Sequence, residues 1–267
     1  MKRKLAVLIA LVLIAVLNIG CKAHSSEKTY KEMKEKGKFV VGLDDNFPPM
    51  GFIDEKGELS GFDIDLAKEV GKRLNLEVEF KPIEWDGVVM SLINKDIDVI
   101  WNGLTITEER KEKIDFSKAY LKNQQIIVVK EESPIKNRED LKGKIVGAQL
   151  ESSSANAIDK DQAFKESLED TTFYGTNTEA FMDLKIGRIE GLVVDEILAR
   201  YYISKSEVPY RILEDNLGEE AYGIGFRKGE SEFIKAVNDA LEEIKKDGTG
   251  KQISEKWFGK DIFVLEE

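Results

Sequence analysis

The sequence predicts an α/β protein of two lobes, and three observations predict it. Strand-like runs alternate with helical patterns in one series from Lys38 and in a second from Lys144. Between the series, the apolar run at residues 125–129 suits a strand that crosses from one lobe to the other. A similar run at residues 221–226 lets the chain cross back. With 42% apolar residues the chain can form a well-packed core and is not expected to be disordered.

The N-terminus reads separately. Met1-Lys2-Arg3-Lys4 is basic, residues 5–17 are unbroken apolar sequence, and Asn18-Ile19-Gly20-Cys21 follows. A basic start, a short apolar run and small residues before a cut site describe a secretory signal peptide, here residues 1–20. A bilayer-spanning helix needs about 20 apolar residues, so a transmembrane anchor is the weaker reading. Cys21 is the single cysteine, which rules out an internal disulfide. Its place resembles a bacterial lipobox, where that cysteine is acylated and becomes the mature N-terminus, although Asn18 stands where the pattern usually has Leu, Val or Ile. Residues 21–37 are polar without apolar periodicity and read as a lipid-anchored tether. His24, the single histidine, lies in that stretch, which disfavours a buried histidine base or a multi-histidine metal site.

The first series opens with the strand-like Phe39-Val40-Val41-Gly42. Phe62, Leu66, Val70 and Leu74 then fall at four-residue steps, one face of a helix. Residues 76–80 alternate as a strand does, residues 88–93 read as a helix core, and Ile97-Asp98-Val99-Ile100-Trp101 as the next strand. This order argues for stacked βαβ units on a largely parallel sheet. In the second series, strands are expected at residues 144–148, 172–174 and 191–195. Helices are expected from Ala155, from Asn177 as N-cap, and over residues 197–203. The two crossings make a hinge and divide the chain into lobe 1, residues 38–124 plus 219–267, and lobe 2, residues 125–218. The C-terminal helices then belong to lobe 1. A net charge of −11 argues against a nucleic-acid partner, because phosphate binding needs a basic stripe.

Three segments suit the two charges of a zwitterion. In Gly103-Leu104-Thr105-Ile106-Thr107-Glu108-Glu109-Arg110, Thr107 is a natural N-cap. A helix start offers unpaired N–H groups, and Arg110 at the third helical position can fold back to bind a carboxylate bidentately. The plain reading is a capped surface helix with an exposed arginine. Glu151-Ser152-Ser153-Ser154 precedes a helix and can also grip an anion, or simply cap it. Asp195 ends an apolar strand, where ligands of open α/β sheets bind, and can meet an ammonium or cap the next helix. Phe47 and Trp85 can wall a ligand, or be core.

Seven ordered blocks are similar to one family. They are Asp44…Phe47-Pro48-Pro49; Gly61-Phe62-Asp63-Ile64-Asp65-Leu66; Ile97-Asp98-Val99; Gly103 to Arg110; Asp115-Phe116-Ser117…Tyr120; Leu141-Lys142-Gly143-Lys144-Ile145-Val146-Gly147; and Asp247-Gly248-Thr249…Trp257-Phe258-Gly259. Together they resemble the polar amino-acid-binding proteins of ABC importers, solute-binding protein family 3. The resemblance implies a two-lobed periplasmic-binding-protein type II fold with two hinge-crossing strands. It implies no catalysis, cofactor or metal, and a monomer that takes a free amino acid and delivers it to ABC transporter membrane subunits. It also implies attachment through the lipid anchor to the extracellular face of the membrane, or a periplasmic site in a Gram-negative source.

By position, the resemblance implies that Arg110, Thr105 and the amides near Ser152 and Ser153 hold the α-carboxylate. Asp195, the Gly103 carbonyl and the Thr105 hydroxyl would hold the α-ammonium. Phe47 and Trp85 would flank the ligand, and Asp44, Asn102 and Gln149 would face its side chain. Asp44 favours a cationic tail, whereas Asn102 and Gln149 suit glutamine or cystine equally, so a polar or basic amino acid is expected. One departure stands out: Glu151 replaces a glycine common in the family. It also keeps open an alternative, a cyclohexadienyl (prephenate-type) dehydratase on the same fold, which uses a carboxylic acid in the same cleft.

Overall fold

The computed structural model describes residues 24–266. The expected signal peptide, residues 1–20, and Cys21 lie outside them. Among the described residues no helix is long and apolar enough to cross a membrane.

Helix α1 (His24–Lys36) corrects the tether reading. Tyr30 and Met33 lie one turn apart; Met33 is only 3% exposed, and Tyr30 stacks on Phe233 at 5.2 Å. Two apolar residues on a face otherwise rich in Lys and Glu make too narrow a stripe to stand out as periodicity, yet they dock the helix on the core.

The chain continues through β1 (Lys38–Leu43), the short β2 (Asn46–Phe47), β3 (Gly51–Ile53) and β4 (Leu59–Ser60), and helix α2 (Phe62–Leu74). Next come β5 (Glu77–Pro82), α3 (Val88–Ile93), β6 (Val99–Ile100), α4 (Glu108–Lys113) and β7 (Ile114–Phe116). Strand β8 (Leu121–Lys130) leaves this half. The other half holds β9 (Ile145–Gln149), α5 (Ser153–Lys160), α6 (Gln162–Ser167), β10 (Asp170–Tyr174), α7 (Asn177–Ile186), β11 (Gly191–Asp195) and α8 (Glu196–Lys205). Strand β12 (Tyr210–Tyr222) returns to β13 (Gly225–Arg227), α9 (Ser231–Lys246) and α10 (Thr249–Phe258).

Two five-stranded sheets result, β5-β1-β6-β13-β7 and β10-β9-β11-β8-β12, and β2, β3 and β4 form a small third sheet. This is the two-lobed type II architecture. The sheets are mixed rather than largely parallel. In the first, β5, β1, β6 and β7 share one sense and β13 runs against its neighbours β6 and β7; in the second, β8 runs against its neighbours β11 and β12. The double crossing thus adds one strand of opposite sense to each sheet, β8 as the chain leaves and β13 as it returns. The expected run at residues 221–226 is split accordingly, with Tyr222 ending β12 and Gly225 opening β13.

In the second sheet Ile127, Val129 and Val193 pack in one cluster, while Ile126, Val128, Leu192 and Val194 pack in the other. Burial on both faces is why these strands read as unbroken apolar runs. In α2, Phe62, Leu66 and Val70 are buried, as their spacing predicts. Gly61 before it has φ of 149°, and a Cβ there would collide with the Met50 carbonyl.

Candidate functional site

Helix α4 begins as the sequence predicts, with the Thr107 hydroxyl accepting the Arg110 N–H at 3.1 Å. This fixes Arg110 about one turn beyond Thr105, which bridges Tyr222, and its guanidinium donates to the Thr105 carbonyl at 2.9 Å. The guanidinium also lies 5.8 Å over the Trp85 ring, and the residue is only 8% exposed, so the exposed-arginine reading does not hold. No carboxylate among the described residues reaches it within ion-pair distance, and burial holds its pKa below the ordinary value.

The start of α5 faces it from the other lobe. The Ser152 hydroxyl caps the helix, accepting the Ala155 N–H at 3.2 Å and donating to the Gln149 carbonyl at 2.7 Å. Capping therefore consumes this hydroxyl. Ser153 is different: its hydroxyl hydrogen-bonds Thr105 at 3.0 Å across the lobes and accepts from the Gln125 amide at 3.1 Å. The Ser153 and Ser154 amides are the first of the helix, which lack intrahelical acceptors. Glu151 adopts the left-handed conformation that favours glycine, with φ of 54°, and its side chain is exposed.

Asp195 sits at the N-cap position of α8 but makes no capping bond. Its Oδ1 instead accepts from Asn123 Nδ2 (2.6 Å), the Tyr222 hydroxyl (2.6 Å) and Gln125 Nε2 (3.1 Å). Beside it is Glu220, whose Oε1 accepts from Asn123 Nδ2 (2.6 Å), Gln125 Nε2 (2.8 Å) and the Thr105 hydroxyl (2.9 Å). Burial first, then the Glu220 charge, push Asp195 up to about 8.

A third group lies at the far end. Asp44 accepts from Gln149 Nε2 across the lobes (2.9 Å), and its own N–H donates to Asn102 Oδ1 (3.1 Å). Asn177 donates to Gln149 Oε1 at 2.9 Å. Asn102 Nδ2 and Asn177 Oδ1 are buried without hydrogen-bond partners among the described residues. Burial raises Asp44 above the usual carboxylate range. Gly103, with φ of 60°, runs between the Phe47 and Tyr222 rings, where an added Cβ would stand 3.0 and 3.2 Å from ring carbons.

All eleven expected binding residues are buried, and Asp44 to Gln149 and Thr105 to Ser153 join the two halves of the set. Asn123, Gln125, Glu220 and Tyr222 were not anticipated. They occupy the hinge strands in register, Glu220 opposite Asn123 and Tyr222 opposite Leu121. The available signal was the polar start, Asn123-Gln124-Gln125, of a run otherwise apolar. Asp63, from the Gly61-Phe62-Asp63 block, supports the site from behind, accepting the Gly103 N–H (2.8 Å) and the Tyr120 hydroxyl (2.9 Å). Burial pushes it up to about 7; the Trp101 indole lies close by, outside hydrogen-bond geometry. Among the described residues no cluster of three or more His, Cys, Asp or Glu is placed to hold a metal. The arrangement offers a buried cation without a counter-ion, a helix start and a buried acid, which together suit a small molecule carrying both charges.

The family model described as bacterial extracellular solute-binding proteins, family 3, matches residues 39–260. The L-cystine-binding protein TcyJ of Escherichia coli (strain K12) is 35% identical over 257 residues, 95% of this chain and 94% of its own. A substrate-binding protein of an ABC uptake transporter from Streptococcus pneumoniae, solved with bound histidine, is 37% identical with a TM-score of 0.86, covering 88% of this chain and 98% of its own. Structures of an ancestral arginine-binding protein, with arginine and with glutamine, are 46% identical with a TM-score of 0.78, covering 84% of this chain and 99% of theirs.

Proposed function

Since the chain belongs to the bacterial extracellular solute-binding proteins of family 3, we propose that it captures a polar or basic L-amino acid by hinge closure and delivers it to the membrane subunits of an ABC importer. The observation that carries this is Arg110, buried in the inter-lobe space with no carboxylate partner among the described residues, facing a helix start and sharing its cleft with Asp195. A buried guanidinium without a counter-ion is costly unless something anionic arrives. The ligand α-carboxylate pairs with Arg110 and the Ser153 and Ser154 amides, and the ammonium with Asp195 and the Gly103 carbonyl. Ligand groups bound to both lobes favour the closed state by that differential contact.

At the side-chain end, Asp44 and the unpartnered Asn102 Nδ2 and Asn177 Oδ1 favour a polar or cationic tail. The named relatives bind cystine, histidine, arginine or glutamine, in keeping with a common α-amino-acid seat and a variable far end. No residue is assigned a catalytic role, and exposed Glu151 gives no support to the dehydratase alternative. Acylation of Cys21 would tie the monomer to the outer face of the membrane. An unmodified Cys21 thiol in mass spectra of the membrane fraction would refute that part.

Thermal-shift screening of the twenty amino acids, cystine and ornithine tests the main reading. A ligand that binds only the folded state raises the melting temperature by linkage. No shift with any of them at millimolar concentration would defeat it.

A further inference from the structure

We propose that Glu220 is a ligand-contacting residue: with Asp195 it forms a two-carboxylate seat for the amino acid's ammonium, and capture expels a proton that the pair otherwise shares. This rests on the amino-acid reading above and adds a residue and a proton to it.

Glu220 lies on β12, the returning hinge strand, opposite Asn123 of β8. The same two side-chain amides hold both acids. Asn123 Nδ2 is 2.6 Å from Asp195 and 2.6 Å from Glu220; Gln125 Nε2 is 3.1 and 2.8 Å from them. Gln125 is itself fixed, since its Oε1 accepts the Ser154 hydroxyl at 2.6 Å. The two carboxyl groups are therefore held side by side on the same two donors. Two acids in contact in a buried site cannot both be ionised cheaply, so a proton or a cation must lie between them. Without ligand the proton serves, in keeping with the upward shift of Asp195.

The ligand supplies a better cation. An ammonium has three N–H donors. The Gly103 carbonyl and Asp195 take two, and Glu220 is placed to take the third, with the Thr105 hydroxyl already turned to it at 2.9 Å. The proton leaves to solvent as the ammonium arrives, and no covalent bond changes. The other ionisable groups facing the pair are Arg110 from α4, with Glu109 and Glu151 beyond it, and Tyr222, with Tyr120 behind it. Burial and the neighbouring acids hold both tyrosines well above their ordinary value, so they do not release this proton. Arg110 meets the other end of the ligand.

The test is calorimetry on the wild-type protein in buffers of different ionisation enthalpy. The probe is whichever of the twenty amino acids, cystine and ornithine most raises the melting temperature. The slope against buffer enthalpy is expected to report close to one proton released per amino acid near neutral pH. Affinity is expected to rise about tenfold per pH unit below about pH 7 and to level off above about pH 8. Glu220→Gln is expected to weaken binding at least about tenfold at about pH 8.5, with a smaller loss at about pH 6. A merely structural role would weaken binding equally at both. Wild-type binding without proton release overturns the proposal even if the variant does not fold; so does a Glu220→Gln affinity equal to wild type at both pH values. If the wild type binds none of the probes, the amino-acid reading itself falls, and this inference with it.

Discussion

Replacing Arg110 with methionine should separate binding from folding, because the two effects differ in size and can differ in sign. In the free protein the guanidinium makes one charge-assisted hydrogen bond, to the Thr105 carbonyl at 2.9 Å, and one ring contact, 5.8 Å over Trp85. The first contributes about 1.5–3 kcal/mol and the second about 0.5–1 kcal/mol. Against them stands the desolvation of a cation without a carboxylate partner, which is several kcal/mol in itself. Methionine keeps most of the stem packing and removes that penalty. The free protein should therefore change little in stability, within about 1.5 kcal/mol of wild type, and in either direction.

Ligand affinity behaves otherwise, since closure then buries an α-carboxylate with no cation. Losing one partner of a buried hydrogen-bonded charge pair costs about 2–5 kcal/mol, or roughly 30- to 4,000-fold in Kd. Denaturant titration of the free variant and calorimetry with the best-binding amino acid measure the two quantities on one preparation. Unchanged affinity in a normally stable variant would refute the assignment of Arg110 and the argument from its missing counter-ion.

Asp195, at about 8, and Asp63, at about 7, both lie above ordinary carboxylate values through burial. Their contribution to folding is complete below the unfolded-state value and is lost as pH rises toward those values. The melting temperature of the ligand-free protein should thus fall between about pH 5 and about pH 8, and Asp195→Asn should flatten the slope. Gly103→Ala places a Cβ 3.0 Å from Phe47 at φ of 60°, and should cost about 2–4 kcal/mol of stability by denaturant unfolding. Met33→Ala should cost about 2 kcal/mol by denaturant unfolding, because α1 is docked on the core; no loss would refute that docking. Glu151→Gly relieves a left-handed glutamate and should be neutral or stabilising by up to about 1 kcal/mol; a larger destabilisation would show that the strain account is wrong.

The readable parts of the fold were those with strong local periodicity. Phe62, Leu66 and Val70 mark α2 because a helix with one buried face must repeat near four, and β11 is unbroken apolar because both faces are covered. The antiparallel strands were not readable, since strand sense is set by where the chain comes from and not by its side chains. Helix α1 was missed because its docking face is one Tyr and one Met. In the site, Thr107 and Arg110 were legible through capping chemistry, which is local. Asp195 and Ser152 were ambiguous because an acid or a serine before a helix reads alike as cap and as ligand. The structure divides them, Ser152 capping and Asp195 turning inward. Glu220 and Asn123 were invisible because their meaning comes from pairing between strands some ninety-seven residues apart.

That pairing bears on how closure is balanced. Among the cross-lobe contacts, Gln149 to Asp44 at 2.9 Å and Thr105 to Ser153 at 3.0 Å join side chains that face each other across the cleft. A neutral hydrogen bond nets about 0.5–1.5 kcal/mol and one to a charged group about 1.5–3, so together they supply roughly 2–4.5 kcal/mol. Moving a two-state equilibrium from 1:99 to 99:1 takes about 5.5 kcal/mol. These two bridges alone supply less than that, which under the proposed hinge closure leaves the remainder to the ligand. A zwitterion adds a charge-assisted bond on each side of the hinge, each about 1.5–3 kcal/mol, which is enough to cross that threshold. Because Asn123, Gln125, Glu220 and Tyr222 sit on β8 and β12 themselves, the groups that sense the ammonium are carried by the same strands that must bend. Under the proposed hinge closure, occupancy of the ammonium seat and the angle of the hinge are then one variable.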